Sequence, residues 1–224
     1  MISALVAGLA LASVAFGAPT KPKTPEIGAR AVGTSVTPHA QWSSSIGVLG
    51  CKVNTNRIAY FPMQPDCNNL CLKVSANGRS VHLLHVDTSG GAHDISYDAW
   101  NYLVTGRSAT EQPTMGGGIA AEYEFVDMSN CGNLLKEGNL PLMAANSINF
   151  FVSCPANSWV GRNAALFNIQ TSGCTLGYDE RCTLDLNISN QPTCPHQLGL
   201  QSPLTGHTVY DIEYGTGKLV PVIQ

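Results

Sequence analysis

The feature that most constrains this chain is a set of eight cysteines, all of which follow residue 50. They are Cys51, Cys67, Cys71, Cys131, Cys154, Cys174, Cys182 and Cys194. An even set in an exported chain is typical of a disulfide framework, whereas a zinc finger needs a second cysteine or histidine pair that the Cys67/Cys71 pair lacks. We therefore expect disulfides, with no metal site and no cofactor.

An apolar segment at the start of the chain indicates export. Residues 2–16 are apolar or small, and this run is shorter than the roughly 20 residues that a membrane-spanning helix requires. Small residues precede a cleavage point near Gly17, and Pro19 prevents the helix from continuing. The sequence predicts a signal peptide over residues 1–17 and a secreted, extracellular mature chain without membrane contact. Asn187 begins a glycosylation sequon, which fits a surface loop.

The charge balance excludes one class of partner. The chain has 12 Lys and Arg against 15 Asp and Glu, so its formal net charge is −3. No basic stripe is available for nucleic acid or for an anionic membrane surface. We expect a monomer whose partner is a cell-wall polysaccharide or a host extracellular protein.

The pattern of apolar runs indicates an all-β protein. Residues 18–44 have no sustained apolar period and predict a flexible N-terminal segment. Later apolar runs are short and are separated by turn residues, as in barrels and sandwiches. These predicted strands cover residues 46–53, 57–61, 70–74, 81–86, 119–126, 147–152, 164–170, 182–188, 208–214 and 218–223. One short helix is expected after Ser96.

A division near residue 132 is expected from the cysteines and from the composition. Cys131 closes the first strand-rich block, and residues 132–141 have the composition of a linker. We expect a barrel domain over residues 45–131 and a β-rich C-terminal domain or barrel extension over residues 132–224. The alternative is one larger barrel with a long insertion. The division separates the cysteines into equal sets, and the sequence leaves their pairing open.

The most informative stretch is residues 81–103. It predicts a strand that ends at Asp87, a tight turn at the Gly90-Gly91 pair, a second short strand that contains Asp94, and a helical turn that contains Trp100. The second strand reads Ala-His-Asp-Ile-Ser over residues 92–96.

This order resembles the double-psi β-barrel of barwin-like, rare-lipoprotein-A-like and expansin-like proteins. In that family a strand ending in Asp precedes a Gly-rich turn, a His-Phe-Asp or Phe-Asp-Ile-Ser element and a short helix. Asp94 matches the family aspartate, while His93 stands where Phe is usual. The resemblance covers about residues 45–131 and implies a six-stranded double-psi β-barrel. Beyond Cys131 it is architectural only.

The resemblance also implies a chemistry for Asp94, namely contact with a glycosidic oxygen. Hydrolysis needs a second carboxylate, because one group protonates the leaving oxygen while another activates water. The related endoglucanases carry that group on the first barrel strand, but residues 46–61 contain no Asp or Glu. The chain therefore fits polysaccharide binding without hydrolysis better than catalysis.

The expected ligand-binding residues are Asp87, Asp94, His93, Tyr60 and Trp100, and Asp94 is the acid if catalysis occurs. Structural alternatives remain open for three of them. Asp87 is also a typical turn residue, Asp94 could cap the following helix, and Trp100 could belong to the core. A joint metal site of His82, His85 and His93 is not expected, because His82 and His85 point to opposite faces of a strand.

Three functions follow, in order of preference. The first is an expansin- or barwin-like extracellular fungal protein that binds cell-wall polysaccharide without cutting it and serves as an effector. The second is a protein-binding module such as a protease inhibitor, which would use the loop over residues 105–118. The third is a polysaccharide hydrolase that uses Asp94 as its acid.

Overall fold

The computed structural model describes residues 30–145 and 147–223. The predicted signal peptide, residues 1–17, lies outside the described residues. Among those that are described, no helix combines the length and the apolar character needed to cross a membrane.

The described chain is mainly β-structure with short helices. The strands are β1 Val32–His39, β2 Ile58–Phe61, β3 Cys71–Ala76, β4 Arg79–Thr88, β5 His93–Ser96, β6 Ile119–Phe125, β7 Leu140–Met143, β8 Ala164–Ile169, β9 Gly177–Cys182, β10 Tyr210–Ile212 and β11 Leu219–Pro221. The helices are α1 Tyr97–Thr105, α2 Ile148–Ser153 and α3 Trp159–Asn163. The predicted strand over residues 147–152 is wrong, since helix α2 occupies this run. A short apolar run does not distinguish the two conformations.

Six strands close into a barrel in the order β1-β5-β2-β4-β3-β6, with β6 pairing back to β1. Strands β1 and β5 are parallel, as are β2 and β4, and the other pairs are antiparallel. The expected all-β fold with a six-stranded barrel is therefore confirmed. Strand β1 pairs with β5 and β6, both of which are far from it in sequence.

The barrel begins earlier in the chain than the sequence predicted. Strand β1 lies inside the segment expected to be flexible, and it closes the barrel between β5 and β6. Val36 is completely buried, whereas most of the other β1 residues are partly or fully exposed. A strand with one deeply buried apolar residue lacks the regular alternation by which strands are recognised.

The barrel interior is an apolar cluster to which all six strands contribute. Its members on the strands are Val36, Ala59, Phe61, Leu72, Val74, Ala76, Val81, Leu83, Ile95, Ala121 and Tyr123. Helix α1 adds Trp100 and Leu103 to this cluster. Since β-strand side chains alternate in direction, the neighbouring positions Ile58, Tyr60 and Leu84 face outward.

A second apolar cluster joins the outer face of the barrel to the C-terminal region. It includes Ile58 and Leu84 from the barrel and Leu142 and Phe167 from the sheet formed by β7, β8 and β9. The C-terminal region also contains the separate hairpin β10-β11. The outward side chains of β2 and β4 are therefore buried by later parts of the chain.

Four disulfides reinforce this arrangement, and none of the described cysteines is free. Cys71–Cys131 lies within the first half and Cys182–Cys194 within the second. Cys51–Cys174 and Cys67–Cys154 join the two halves. The equal division of cysteines at residue 132 therefore does not correspond to separate pairing.

Candidate functional site

The sequence-predicted aspartates lie in one lateral row across four barrel strands. Thr37 of β1 pairs with Asp94 of β5, Asp94 pairs with Tyr60 of β2, and Tyr60 pairs with Asp87 of β4. The register between β2 and β4 skips Val86, which is the signature of a β-bulge. The bulge brings Asp87 into the same outward row as Asp94.

Asp94 is the accessible acid of this row. Its side chain is half-buried, and its Oδ1 atom accepts a hydrogen bond from the Thr37 hydroxyl. Both residues lie on paired strands of a closed barrel, so their separation is fixed by the sheet. The arrangement presents a carboxylate and a hydroxyl together on the outer face. Asp94 does not cap helix α1, since the residue at the helix N-cap is Ser96.

His93 points away from this row toward the barrel interior. Its ring lies 4.7 Å from the ring of Phe61 and 5.5 Å from that of Tyr123, while its Nδ1 atom is 3.0 Å from the Thr34 hydroxyl. Partial burial lowers the pKa of His93, against the opposing charge of Asp94. His93 and Asp94 therefore lie on opposite faces of β5, and the structure does not bring them together as a ligand-binding pair.

Tyr60 is covered and offers no surface to a ligand. It is only 3 % exposed, and the ring of His39 lies 4.3 Å from its own. Burial raises the pKa of the Tyr60 hydroxyl, and the charges of Asp211 and Asp87 act in the same direction. Its expected role as a wall of the binding groove is not supported by this placement.

The cover over Tyr60 comes in part from residues 40–45, which we call the strap. The Trp42 amide donates to Asp211 Oδ1 at 2.8 Å, and the Ser44 hydroxyl donates to the Val86 carbonyl at 2.9 Å. The Ser45 amide donates to Asp87 Oδ1 at 2.9 Å. The strap is therefore held at several points against the barrel.

Asp87 is the main anchor of the strap. Besides the Ser45 amide, its carboxylate accepts hydrogen bonds from the Ser43 hydroxyl and from the Thr88 amide. A carboxylate with three such donors is committed to holding backbone and side-chain groups in place. The hydrogen bond from Thr88 agrees with the alternative that Asp87 is a turn residue. The hydrogen bonds from Ser43 and Ser45 differ, because these residues lie in a segment that is distant in sequence.

Trp100 belongs to the core. It is only 1 % exposed and lies in the interior cluster with Leu103. Gly116 packs over its ring so closely that an added Cβ atom would approach the ring to 2.9 Å. This placement agrees with the alternative that Trp100 belongs to the core and does not support a role as a platform for a sugar.

Sequence reasoning missed Thr37 and the strap because both fall in the segment expected to be flexible. The only signal for this strand was its content of β-branched residues, in Val-Gly-Thr-Ser-Val-Thr over residues 32–37. The sequon residue Asn187 is exposed on a loop, where its amide donates to Asp185 at 3.0 Å. No group of three or more potential metal-binding side chains occurs within residues 30–145 and 147–223.

The row supplies one free acid rather than two. Asp94 and Asp87 are separated by two strand spacings, or about 10 Å, and Asp87 is already engaged by three donors. A general base must be free to take a proton from water. The arrangement can therefore bind hydroxyl groups at Asp94, but it lacks an available partner for the two-carboxylate mechanism.

Comparisons with known proteins add little to this geometry. No family model matches the chain, and no curated protein matches it. Among solved structures, the chain is similar to cerato-platanin 3 from M. perniciosa, with 14 % sequence identity and a TM-score of 0.33. The match covers 45 % of this chain and 98 % of the other. A likeness at this level identifies neither a family nor a function for the chain.

Proposed function

We propose that this chain is an extracellular, expansin- or barwin-like fungal protein that binds cell-wall polysaccharide at Asp94, does not cut it, and serves as an effector. The observation that supports the proposal is the Asp94–Thr37 pair, which is half-buried on the outer face of a closed barrel. A fixed carboxylate and hydroxyl suit the hydroxyl groups of a sugar, which both donate and accept hydrogen bonds. The four disulfides are typical of proteins that work in an oxidising compartment.

The test is retention of the purified protein on insoluble cellulose, chitin and xylan. Asp94→Asn is expected to weaken retention roughly tenfold, because a hydrogen bond to a charged group is replaced by a neutral one. The substitution keeps the size of the side chain and an oxygen that accepts from Thr37. Glu122→Gln is the matched control, since Glu122 is an exposed acid on the neighbouring part of the barrel, in strand β6.

Unchanged retention of Asp94→Asn would contradict the role of Asp94, and two further results would contradict the proposal. If the unaltered protein binds none of the three polymers, the proposal that it binds polysaccharide is contradicted. Release of reducing sugars that disappears in Asp94→Asn would instead support the hydrolase.

A second candidate function, protein binding, is favoured by the loop over residues 106–118. The buried Asn101 side chain holds it from inside, accepting from the Thr114 amide at 2.9 Å and donating to the Gln112 carbonyl at 2.9 Å. The hydroxyl of Tyr97 donates to the Thr114 carbonyl at 2.7 Å. Met115 projects from this braced loop with 71 % of its surface exposed. A rigid loop with one exposed apolar side chain is preorganised for the cleft of a protease.

This candidate predicts inhibition of a protease whose specificity pocket is apolar, such as chymotrypsin. The protein is expected to inhibit at near-stoichiometric concentration, and Met115→Asp is expected to remove inhibition because an apolar pocket excludes a charge. Residual protease activity on a small substrate is the measurement. Rapid cleavage after Met115 with no inhibition would rule this function out.

A further inference from the structure

A separate cavity of about 550 Å³ lies between residues 50–56, residues 133–136 and the region that ends in the hairpin β10-β11. We propose that this cavity is a second carbohydrate site, which holds a short segment of a neutral polysaccharide. The choice of ligand rests on the proposed function, while the site is distinct from Asp94. We call it the hairpin cavity.

The size and the apolar surfaces of the hairpin cavity suit a sugar. Ligand sites commonly measure about 300–1,000 Å³. Val53 and Leu134 line it as buried residues, at 1 % and 5 % exposure. Tyr210 and Leu219 line it as exposed residues, at 45 % and 58 %. An accessible aromatic ring provides an apolar face against which the C–H face of a sugar packs, and the Asp94 row has no such ring.

Unengaged polar side chains also line the hairpin cavity. Within residues 30–145 and 147–223, no hydrogen bond involves the side chains of Asn56, Asn133, Thr55 or Thr208. Amides and hydroxyls both donate and accept, so these groups match the hydroxyl groups of a neutral sugar. Their hydrogen bonds are available to a ligand without breaking contacts within the protein.

The wall that carries these groups is rigid. The Asn54 amide donates to the Leu134 carbonyl at 2.9 Å, and the Arg57 amide donates to the Asn54 carbonyl at 3.1 Å. The neighbouring Cys51 is fixed by its disulfide to Cys174. A preformed wall loses little conformational freedom when a ligand binds.

The charges around the hairpin cavity favour a neutral ligand. Its lining includes no carboxylate. The Lys136 ammonium donates to the Cys51 carbonyl at 2.8 Å, and the His207 ring lies 3.6 Å from the Asp179 carboxylate. Both basic groups therefore already have a partner within the protein.

A larger depression on the barrel, of about 650 Å³, lacks these properties. It has no aromatic residue in its lining. Its Lys73 is paired with Glu124 at 3.1 Å, and its Arg79 donates to the Leu103 carbonyl at 3.2 Å. Volume alone therefore does not identify a binding site. The hairpin cavity is distinguished by an exposed aromatic ring together with amide side chains that have no partner among the described residues.

The hairpin cavity is separated from the Asp94 row by a narrow crevice of about 10 Å³. This crevice shares Thr55, Asn56 and Tyr210 with the cavity and extends to His39 and Ser96. His39 and Ser96 pair with each other two residues beyond the Thr37–Asp94 pair, a distance of about 7 Å along the strands.

The test uses soluble hexasaccharides of β-1,4-linked glucose, N-acetylglucosamine and xylose, with binding measured by calorimetry on the full secreted protein. At least one hexasaccharide is expected to bind. Asn133→Ala and Tyr210→Ala are each expected to weaken its binding at least tenfold. Asn190→Ala is the matched control, because Asn190 is an exposed asparagine that does not line the cavity. Circular dichroism of each variant verifies that it folds.

The outcomes separate the two proposals. Unchanged affinity in both cavity variants, or loss of binding in Asp94→Asn alone, would overturn the hairpin cavity as a site. The cavity would also be overturned if no hexasaccharide binds while the polymers still retain the protein through Asp94. Conversely, loss of hexasaccharide binding in the cavity variants with unchanged polymer retention in Asp94→Asn would support the cavity and contradict the Asp94 proposal.

Discussion

Replacing Cys51 and Cys174 together by Ala is expected to lower the free energy of unfolding by about 4 kcal/mol. This disulfide spans 123 residues of sequence. The nested Cys67–Cys154 disulfide remains in the variant, so the loop that is released corresponds to roughly 36 residues. The entropy gained by the unfolded chain on release of such a loop accounts for the expected loss.

The matched control replaces Cys182 and Cys194, whose disulfide spans 12 residues. Its removal is expected to lower the free energy of unfolding by about 3 kcal/mol. Equilibrium unfolding in urea measures both variants. Because Cys51 lines the hairpin cavity, only the first variant is also expected to bind hexasaccharides less tightly. A Cys51/Cys174 variant as stable as the unaltered protein would contradict the prediction that this bridge constrains the chain.

Lowering the pH from 7 to 4 is expected to lower the free energy of unfolding by up to about 3 kcal/mol through His85 alone. His85 is 1 % exposed, and burial lowers the pKa of its imidazole to about 4, against the opposing influence of Asp87. The unfolded chain takes up this proton near pH 6.5, so it binds more protons than the folded chain between pH 6.5 and 4. The stabilising contribution of neutral His85 is therefore complete above pH 6.5 and is lost as the pH falls toward 4.

The variant His85→Leu separates this contribution from the others. It removes the titrating group, so the free energy of unfolding is expected to change less between pH 6.5 and 4.5 than in the unaltered protein. Carboxylates whose pKa is lowered by hydrogen bonds, such as Glu137, lose their contribution at lower pH. His93, whose pKa is also lowered, is tested by His93→Gln. An equal pH dependence in His85→Leu and the unaltered protein would contradict the assignment to His85.

The barrel strand that contains Asp94 could be predicted from sequence because its signals are local. A Gly pair, a short strand and a helix follow one another within residues 88–105, and the structure has the same order. The position of Asp94 on the outer face then follows from the alternation of side chains along β5. Local patterns were therefore sufficient to predict structure where the interacting residues are close together in sequence.

The role of Asp87 could not be predicted, since it depends on a segment distant in sequence. Its partners Ser43 and Ser45 lie more than 40 residues earlier, and strand pairing brings them close. The same limit applies to β1, whose partner Asp94 follows Thr37 by 57 residues. The pairing of cysteines separated by 60 to 123 residues could not be predicted from local sequence patterns either.

The nested disulfides also determine what happens if the backbone is cut. Cys51–Cys174 encloses most of the barrel and the first part of the C-terminal region, and Cys67–Cys154 lies inside it. A single cleavage at any peptide bond between residues 51 and 174 therefore leaves both pieces covalently joined. The product would migrate as one chain on a gel until a reductant is added, because the Cys51–Cys174 disulfide still holds its two pieces together.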